Sequence, residues 1–241
     1  MKNAIFVFPG NCRTFMDCID SALSQLIVML FHNNVNIYIY FYLKLTDPGP
    51  KGQEGWNFQY NDVDSNMVLN KIEEIKTKYP MFNIEYKLIP GNEISDDELL
   101  SQVNDRSMYV NFLSSDQKLL RGLHCHYNFE RCGKYILEKE ASIQSQFDYI
   151  IYVRPDLEFF KPCYNITKYN PNIVTVGNAP NNYNGDHLAI IPRHHFNAFF
   201  FDRMNYYRNN TQTKIYVQED VYFSTIQYEY NDIGTYVIKR P

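Results

Sequence analysis

The 241 residues hold no Ser/Gly linker, no low-complexity tract and no internal repeat. Nothing marks an interior boundary, so residues 1–241 are expected to form a single domain. Basic charge is scarce: 23 Lys and Arg against 27 Asp and Glu leave a net charge of −4. A broad nucleic-acid groove needs a basic stripe, which argues against that partner. Cysteines are few and odd in number, at 12, 18, 125, 132 and 163, with no CxxC pair. This pattern fits reduced thiols and a cytoplasmic location better than a disulfide framework. His124-Cys125-His126 with Cys132 does not make a zinc set, because histidines two apart on one helix diverge. Long apolar runs are missing as well. The apolar part of residues 1–13 is too short for a signal peptide. The stretch 23–43 is apolar enough to inspect, but His32, Asn33, Asn34 and Asn36 interrupt it, so no membrane span is expected. Without secretion, the sequons at Asn165 and Asn209 carry no weight.

What the chain has in excess is aromatic, 21 Tyr and 17 Phe. Core packing together with codon bias is the plainer reading of such an excess, although tyrosines also suit a sugar or nucleotide groove, since they stack and hydrogen-bond. Residues 4–8 form an apolar strand that Pro9-Gly10 is expected to break. Ile19, Ala22, Leu23, Leu26, Ile27 and Leu30 then recur at helical spacing. A strand over 35–43, a helix over 64–79 and a strand over 82–89 follow. Residues 47–55 make a long polar loop of the kind that serves as a lid or binding element. The acidic stretch 93–98 leads into a helix start, and 114–146 holds one long helix, or two with a break near Gly122. This alternation predicts a mainly parallel sheet covered on both faces. The last third differs, with strands at 173–176, near 187–191 and at 236–238, and helices from His194 and over 221–229. It reads as an appended α+β half.

Three constellations carry chemistry. Phe147-Asp148-Tyr149-Ile150-Ile151-Tyr152-Val153-Arg154-Pro155-Asp156-Leu157-Glu158 is an apolar run ending in an arginine and two carboxylates. It reads as a buried strand whose carboxyl end faces the ligand crevice of an open α/β sheet. In extended chain, residues i and i+2 share a side. Asp156 and Glu158 are therefore expected to present oxygen ligands to one divalent cation beside Arg154, with Asp156 exposed to the crevice. Such a cation suits a diphosphate substrate. The alternative is a solvated strand end with a surface ion pair. The second constellation is Gly10-Asn11-Cys12-Arg13-Thr14, where glycine allows close backbone approach to a phosphate or base and the next helix offers amides. The third comprises Gly185-Asp186-His187 and Gln218-Glu219-Asp220-Val221. Here Asp186 or Asp220 is a candidate general base and His187 a candidate contact, with helix-start charge or a structural histidine as the plainer roles.

Together these residues resemble glycosyltransferases of the GT-A fold. The likeness lies in a strand followed by a Gly-x-x-Arg-Thr turn, a long helix, and a "yDyiiyvRpDl" strand. Asp156-x-Glu158 looks like a variant of that fold's DxD motif, with glutamate in place of the second aspartate and Pro155 before the first. Glu219-Asp220-Val221 looks like the late Glu-Asp motif of several inverting families. The Lys-, Asn- and Tyr-rich composition is similar to glycosyltransferases of large DNA viruses of algae and amoebae. The resemblance implies a Rossmann-like α/β sheet flanked by helices. About residues 1–160 would bind the nucleotide sugar and about 161–241 the glycan acceptor. It implies sugar transfer from a nucleotide-diphosphate donor, UDP foremost, with inversion preferred narrowly over retention, which requires no strong base. Asp220 or Asp186 would act as catalytic base. Gly10, Arg13, Thr14, Arg154 and Asp156 would bind donor, and Asp156, Glu158 and His187 a Mn²⁺ or Mg²⁺ ion. The rival classes are a non-catalytic carbohydrate-binding or virion structural protein, and a metal-dependent phosphoesterase. The last would need a second acidic cluster that the sequence does not show.

Overall fold

The computed structural model describes residues 2–12, 14–30, 34–46, 63–109, 116–177, 187–215, 228–231, 233 and 236–238. Nine strands and five α-helices run in the order β1 (Lys2–Asn11), α1 (Phe15–Leu26), β2 (Val35–Lys44), α2 (Ser65–Lys78), β3 (Asn83–Ile89), α3 (Asp96–Ser101), α4 (Asp116–Ile143), β4 (Tyr149–Val153), β5 (Leu157–Phe159), β6 (Val174–Gly177), β7 (Leu188–Ile191), α5 (Arg203–Asn209), β8 (Tyr228–Asn231) and β9 (Tyr236–Ile238) among the described residues. Seven strands form one sheet in the order β3-β2-β1-β4-β7-β6-β8. Neighbours are parallel except where β7 runs against β4 and β6. Strands β6, β7 and β8 thus extend the same sheet as the early ones, whereas β5 and β9 pair in a separate two-stranded sheet. The expected mainly parallel, helix-flanked α/β sheet is the fold observed.

Alternation along the strands builds two cores. On one face Ala4, Phe6 and Phe8 of β1 and Ile37, Ile39 and Phe41 of β2 pack with Ile19 and Leu23 of α1 and Ile72 of α2. On the other face Ile5, Val7, Tyr40 and Tyr152 pack with Phe129, Cys132 and Ile136 of α4. A strand with both faces covered reads as a continuous apolar run, which is why β1, β2 and β4 were legible. Many of the aromatics are core: Tyr40 stacks on Tyr135 of α4 at 3.5 Å, and Phe129 lies 4.6 Å from Tyr152. The stretch 23–43 is divided between the end of α1 and β2, and no helix among the described residues is long and apolar enough to cross a membrane.

Several boundaries depart from expectation. Strand β1 does not stop at Pro9-Gly10: Pro9, Gly10 and Asn11 pair with Tyr42, Leu43 and Lys44. A proline lacks only its own N–H, and the facing strand carries the register past it. The long helix is unbroken at Gly122, since α4 runs through to Ile143. The helix expected from His194 is a 3₁₀ turn, Arg193–His195, then a π-helix, Ala198–Asp202, and then α5. The helix expected over 221–229 falls mostly outside the described residues, and Tyr228 and Glu229 belong to β8 instead. Their pairing with β6 outweighs local propensity.

The histidines of α4 do diverge. His124 faces Asn92 and Asp96, whereas His126 is 0% exposed, its ring 5.4 Å from that of Tyr207. Burial, and then the charge of Arg203, hold His126 well below its ordinary pKa of 6.5. Below that pH the unfolded chain takes up a proton that the native chain refuses. The contribution is therefore fully present above 6.5 and lost as the pH falls toward the depressed native value. The expected slope from this one site approaches about 1.4 kcal/mol per pH unit. Urea melts at descending pH should show it, and His126→Phe should make the decline shallower. An equal slope in the variant would rule His126 out as its source.

Candidate active site

In open α/β sheets ligands sit outside the carboxyl ends of the strands, where the strand order reverses. Here the chain steps from β1 outward to β2 and β3, then returns to place β4 on the other side of β1. The reversal lies between β1 and β4, whose carboxyl ends carry Gly10 and Arg154. These two segments touch. Gly10 has φ +149°, and a Cβ placed on it would lie 3.0 Å from Pro155 Cδ and 3.1 Å from Cγ. Glycine is needed here twice, for its backbone conformation and for the approach of the proline ring. The close neighbour the structure shows at Gly10 is thus Pro155. Gly10→Ala is expected to cost about 1–3 kcal/mol, the range for inserting a group into packed structure. Thermal melts would check this, and an unchanged midpoint would mean that the Pro155 turn yields freely.

Arg154 and Asp156 form a forked ion pair. Arg154 Nε donates to Asp156 Oδ1 at 2.9 Å and Nη2 to Oδ2 at 2.7 Å. Asp156 is 3% exposed, which corrects the expectation of a carboxylate open to the crevice. The backbone N–H of Arg154 donates to the His187 carbonyl at 2.7 Å, continuing the antiparallel pairing of Val153 with Leu188. His187 is itself buried. Glu158 is half-buried on β5, opposite Val237 of β9 in a separate two-stranded sheet. Asp156 precedes β5 in a turn, so the two carboxylates do not stand on one strand of the main sheet.

The structure therefore brings Gly10, Arg154, Asp156 and His187 together at the reversal point, with Glu158 one residue beyond Leu157. Thr14 is the N-cap residue of α1 and is buried. Burial pushes the Cys12 thiol up to about 11, with its own backbone hydrogen bond opposing, which leaves it protonated rather than nucleophilic. Arg13, Asp186, Glu219, Asp220 and the loop 47–55 lie outside the described residues. Among the described residues no group of three or more His, Cys, Asp or Glu side chains is placed to hold a metal ion. Asp156, Glu158 and His187 are thus not gathered around one cation position, and Asp156 already accepts two hydrogen bonds from Arg154.

A second polar group, which sequence reading did not single out, lies on the same sheet edge. Lys44 closes β2, and its Nζ donates to Asn92 Oδ1 at 3.0 Å. Asn92 Nδ2 lies 3.2 Å from His124 Nε2, which is 2.8 Å from Asp96 Oδ1. Beside it Glu93 accepts from Tyr42 Oη at 2.6 Å and pairs with Arg131 at 3.0 Å and with Lys87. Burial opposes ionisation of Glu93, but the Lys87 and Tyr42 hydrogen bonds and the Arg131 charge together hold its carboxyl below the usual range. The available signal was Lys44 itself, a charge ending an alternating apolar strand.

No protein-family model and no curated protein matches the chain. Among solved structures it is similar to the galactosyltransferase LgtC in complex with donor and acceptor sugar analogs. The TM-score is 0.43 at 9% identity, covering 95% of this chain and 72% of that one. It is also similar to the mannosyltransferase Ktr4p from S. cerevisiae in complex with GDP, with a TM-score of 0.35 at 15% identity, covering 73% and 39%. A third similarity is to mouse xyloside xylosyltransferase 1 in its apo form, with a TM-score of 0.33 at 8% identity, covering 93% and 80%. Similarity this remote assigns neither a reaction nor a substrate.

Proposed function

We propose that this protein is a glycosyltransferase of GT-A type that moves a sugar from a nucleotide-diphosphate donor, UDP foremost, to a hydroxyl of a glycan acceptor. The observation that carries the reading is the Arg154-Pro155-Asp156 turn, packed on Gly10 at the point where a mainly parallel sheet reverses its strand order. That is where such sheets receive nucleotides.

In this reading Gly10, Arg13, Thr14, Arg154 and Asp156 hold the donor. About residues 1–160 serve the nucleotide sugar and about 161–241 the acceptor. As the anomeric bond breaks, negative charge builds on the leaving diphosphate, and fixed cations such as Arg13 stabilise it. The acceptor hydroxyl loses its proton to Asp220 or Asp186 while its oxygen attacks in line, inverting the anomeric centre. Asp156, Glu158 and His187 are the residues proposed for Mn²⁺ or Mg²⁺. An ion on Asp156 would compete with Arg154 for that carboxylate. A viral origin, suggested by composition, gains nothing from the solved structures to which the chain is similar.

Incubating the protein with a panel of nucleotide sugars and glycan acceptors, with Mn²⁺ and with EDTA, tests the proposal. Transfer from one donor is expected, with an anomeric configuration opposite to the donor's. Glycan binding without transfer from any donor would make it a carbohydrate-binding protein instead.

A further inference from the structure

Strand β3 stands at the end of the main sheet, with β2 on its inner side. Among the described residues no strand pairs with its outer edge. An edge strand presents unpaired backbone N–H and C=O groups that a further strand can satisfy. Side chains alternate between the two faces. Ile84, Tyr86 and Leu88 lie on the side of α2. Ile84 and Leu88 pack against the core that holds Ile72 and Ile75, and Lys76 Nζ lies 5.1 Å from the centre of the Tyr86 ring. Glu85 and Lys87 lie on the side of α4. There Glu85 accepts from Tyr135 Oη at 2.8 Å and from Lys139, and Lys87 pairs with Glu93.

This edge is complementary to itself. A two-fold axis normal to the sheet brings two β3 edges together antiparallel and keeps α2 faces with α2 faces. With the axis at Tyr86, Glu85 of each copy stands opposite Lys87 of the other, Ile84 opposite Leu88, and Tyr86 opposite its own equivalent. Directly opposed unlike charges, apolar pairs and aromatic pairs each favour strand pairing. Moving the axis to residue 85 or 87 would set two glutamates or two lysines face to face. The charge pattern therefore selects one register.

The two charged side chains are 45% and 42% exposed, so both can be reached from outside. Burial opposes ionisation of Glu85, but its Lys139 and Tyr135 hydrogen bonds hold the carboxyl below the usual range, so it is charged at neutral pH. A lysine on an edge strand ordinarily repels a further strand. Here the arriving strand brings the matching carboxylate. Each charge is also steadied by its own chain, which reduces the side-chain freedom lost on association.

We propose that β3 is a self-association edge, across which two copies of this chain join antiparallel, in the register centred on Tyr86, to form one continuous sheet.

Sedimentation velocity over a concentration series tests it, on wild type, Glu85→Lys and Lys87→Glu, with thermal melts to confirm folding. Wild type is expected to dimerise. Each variant alone opposes like charges at both symmetric pairs, so its dimer dissociation constant should rise about 10- to 100-fold. An equimolar mixture of the two variants is expected to recover the affinity as a heterodimer, because both opposed pairs again join unlike charges. A wild type that stays monomeric at every concentration would overturn the proposal. So would a dimer that both variants leave intact, since its interface would lie elsewhere. Folded variants that fail to associate when mixed would overturn it as well, because the register is part of it. Should Glu85→Lys fail to fold beside Lys139, Tyr86→Lys carries the test. It sets two ammoniums together on the axis, and an undiminished dimer would overturn the inference.

Discussion

Asp156→Asn is expected to melt well below the parent protein. Arg154 and Asp156 exchange two hydrogen bonds, and their side chains are 23% and 4% exposed. Breaking a fully buried pair costs about 3–5 kcal/mol, and the partial exposure of Arg154 discounts that to about 1–3 kcal/mol. For a chain of this size the midpoint should fall by about 2–4 °C per kcal/mol. Adding Arg154→Met should restore part of the loss, because it removes the guanidinium charge left facing a neutral amide. Differential scanning calorimetry of the two variants decides the point. An unchanged melt for Asp156→Asn would mean that the fork contributes nothing and that Asp156 is available to ligands. The ion pair also sets a competition: a cation on Asp156 would be repelled by the Arg154 guanidinium, so Arg154→Met should strengthen Mn²⁺ binding if Asp156 is a ligand.

Asp220→Asn is expected to keep donor binding and thermal stability while losing about 10²–10⁴ in transfer rate, the usual loss on removing a general base. A carboxylate that merely sits at a helix start contributes about 0.3–1 kcal/mol to stability and nothing to turnover. Single-turnover assays with saturating donor separate the two roles by orders of magnitude. Near-normal transfer would move the base to Asp186, or would favour a retaining reaction in which no strong base is needed. Measuring the anomeric configuration of the product distinguishes those outcomes.

The parts of the fold legible in the sequence are those governed by local patterns. The runs that became β1, β2 and β4 are apolar because both faces of those strands are covered, and α2 is N-capped by Asp64, whose side chain accepts from the Asn66 N–H. Boundaries failed where a partner strand outvoted a local signal, as at Pro9-Gly10 and at Tyr228-Glu229. For the candidate site, residue types and their order along the chain were readable, and partner choice was not. The i, i+2 rule for Asp156 and Glu158 assumed one continuous strand, whereas a turn separates β4 from β5 and sends Glu158 to pair with β9.

By itself the sequence determined the alternation of strands and helices, the sheet class that follows from it, and the placing of charge after the strand that became β4. These depend on periodicity and on breaks in it, which are properties of neighbours along the chain. Tertiary structure alone decided that β4 returns beside β1, that Pro155 rests on Gly10, that Arg154 engages Asp156, and that Lys44 meets Asn92 across 48 positions of sequence. Such contacts form only when distant segments share a sheet edge. Their energies depend on burial and partner geometry, which no local pattern encodes.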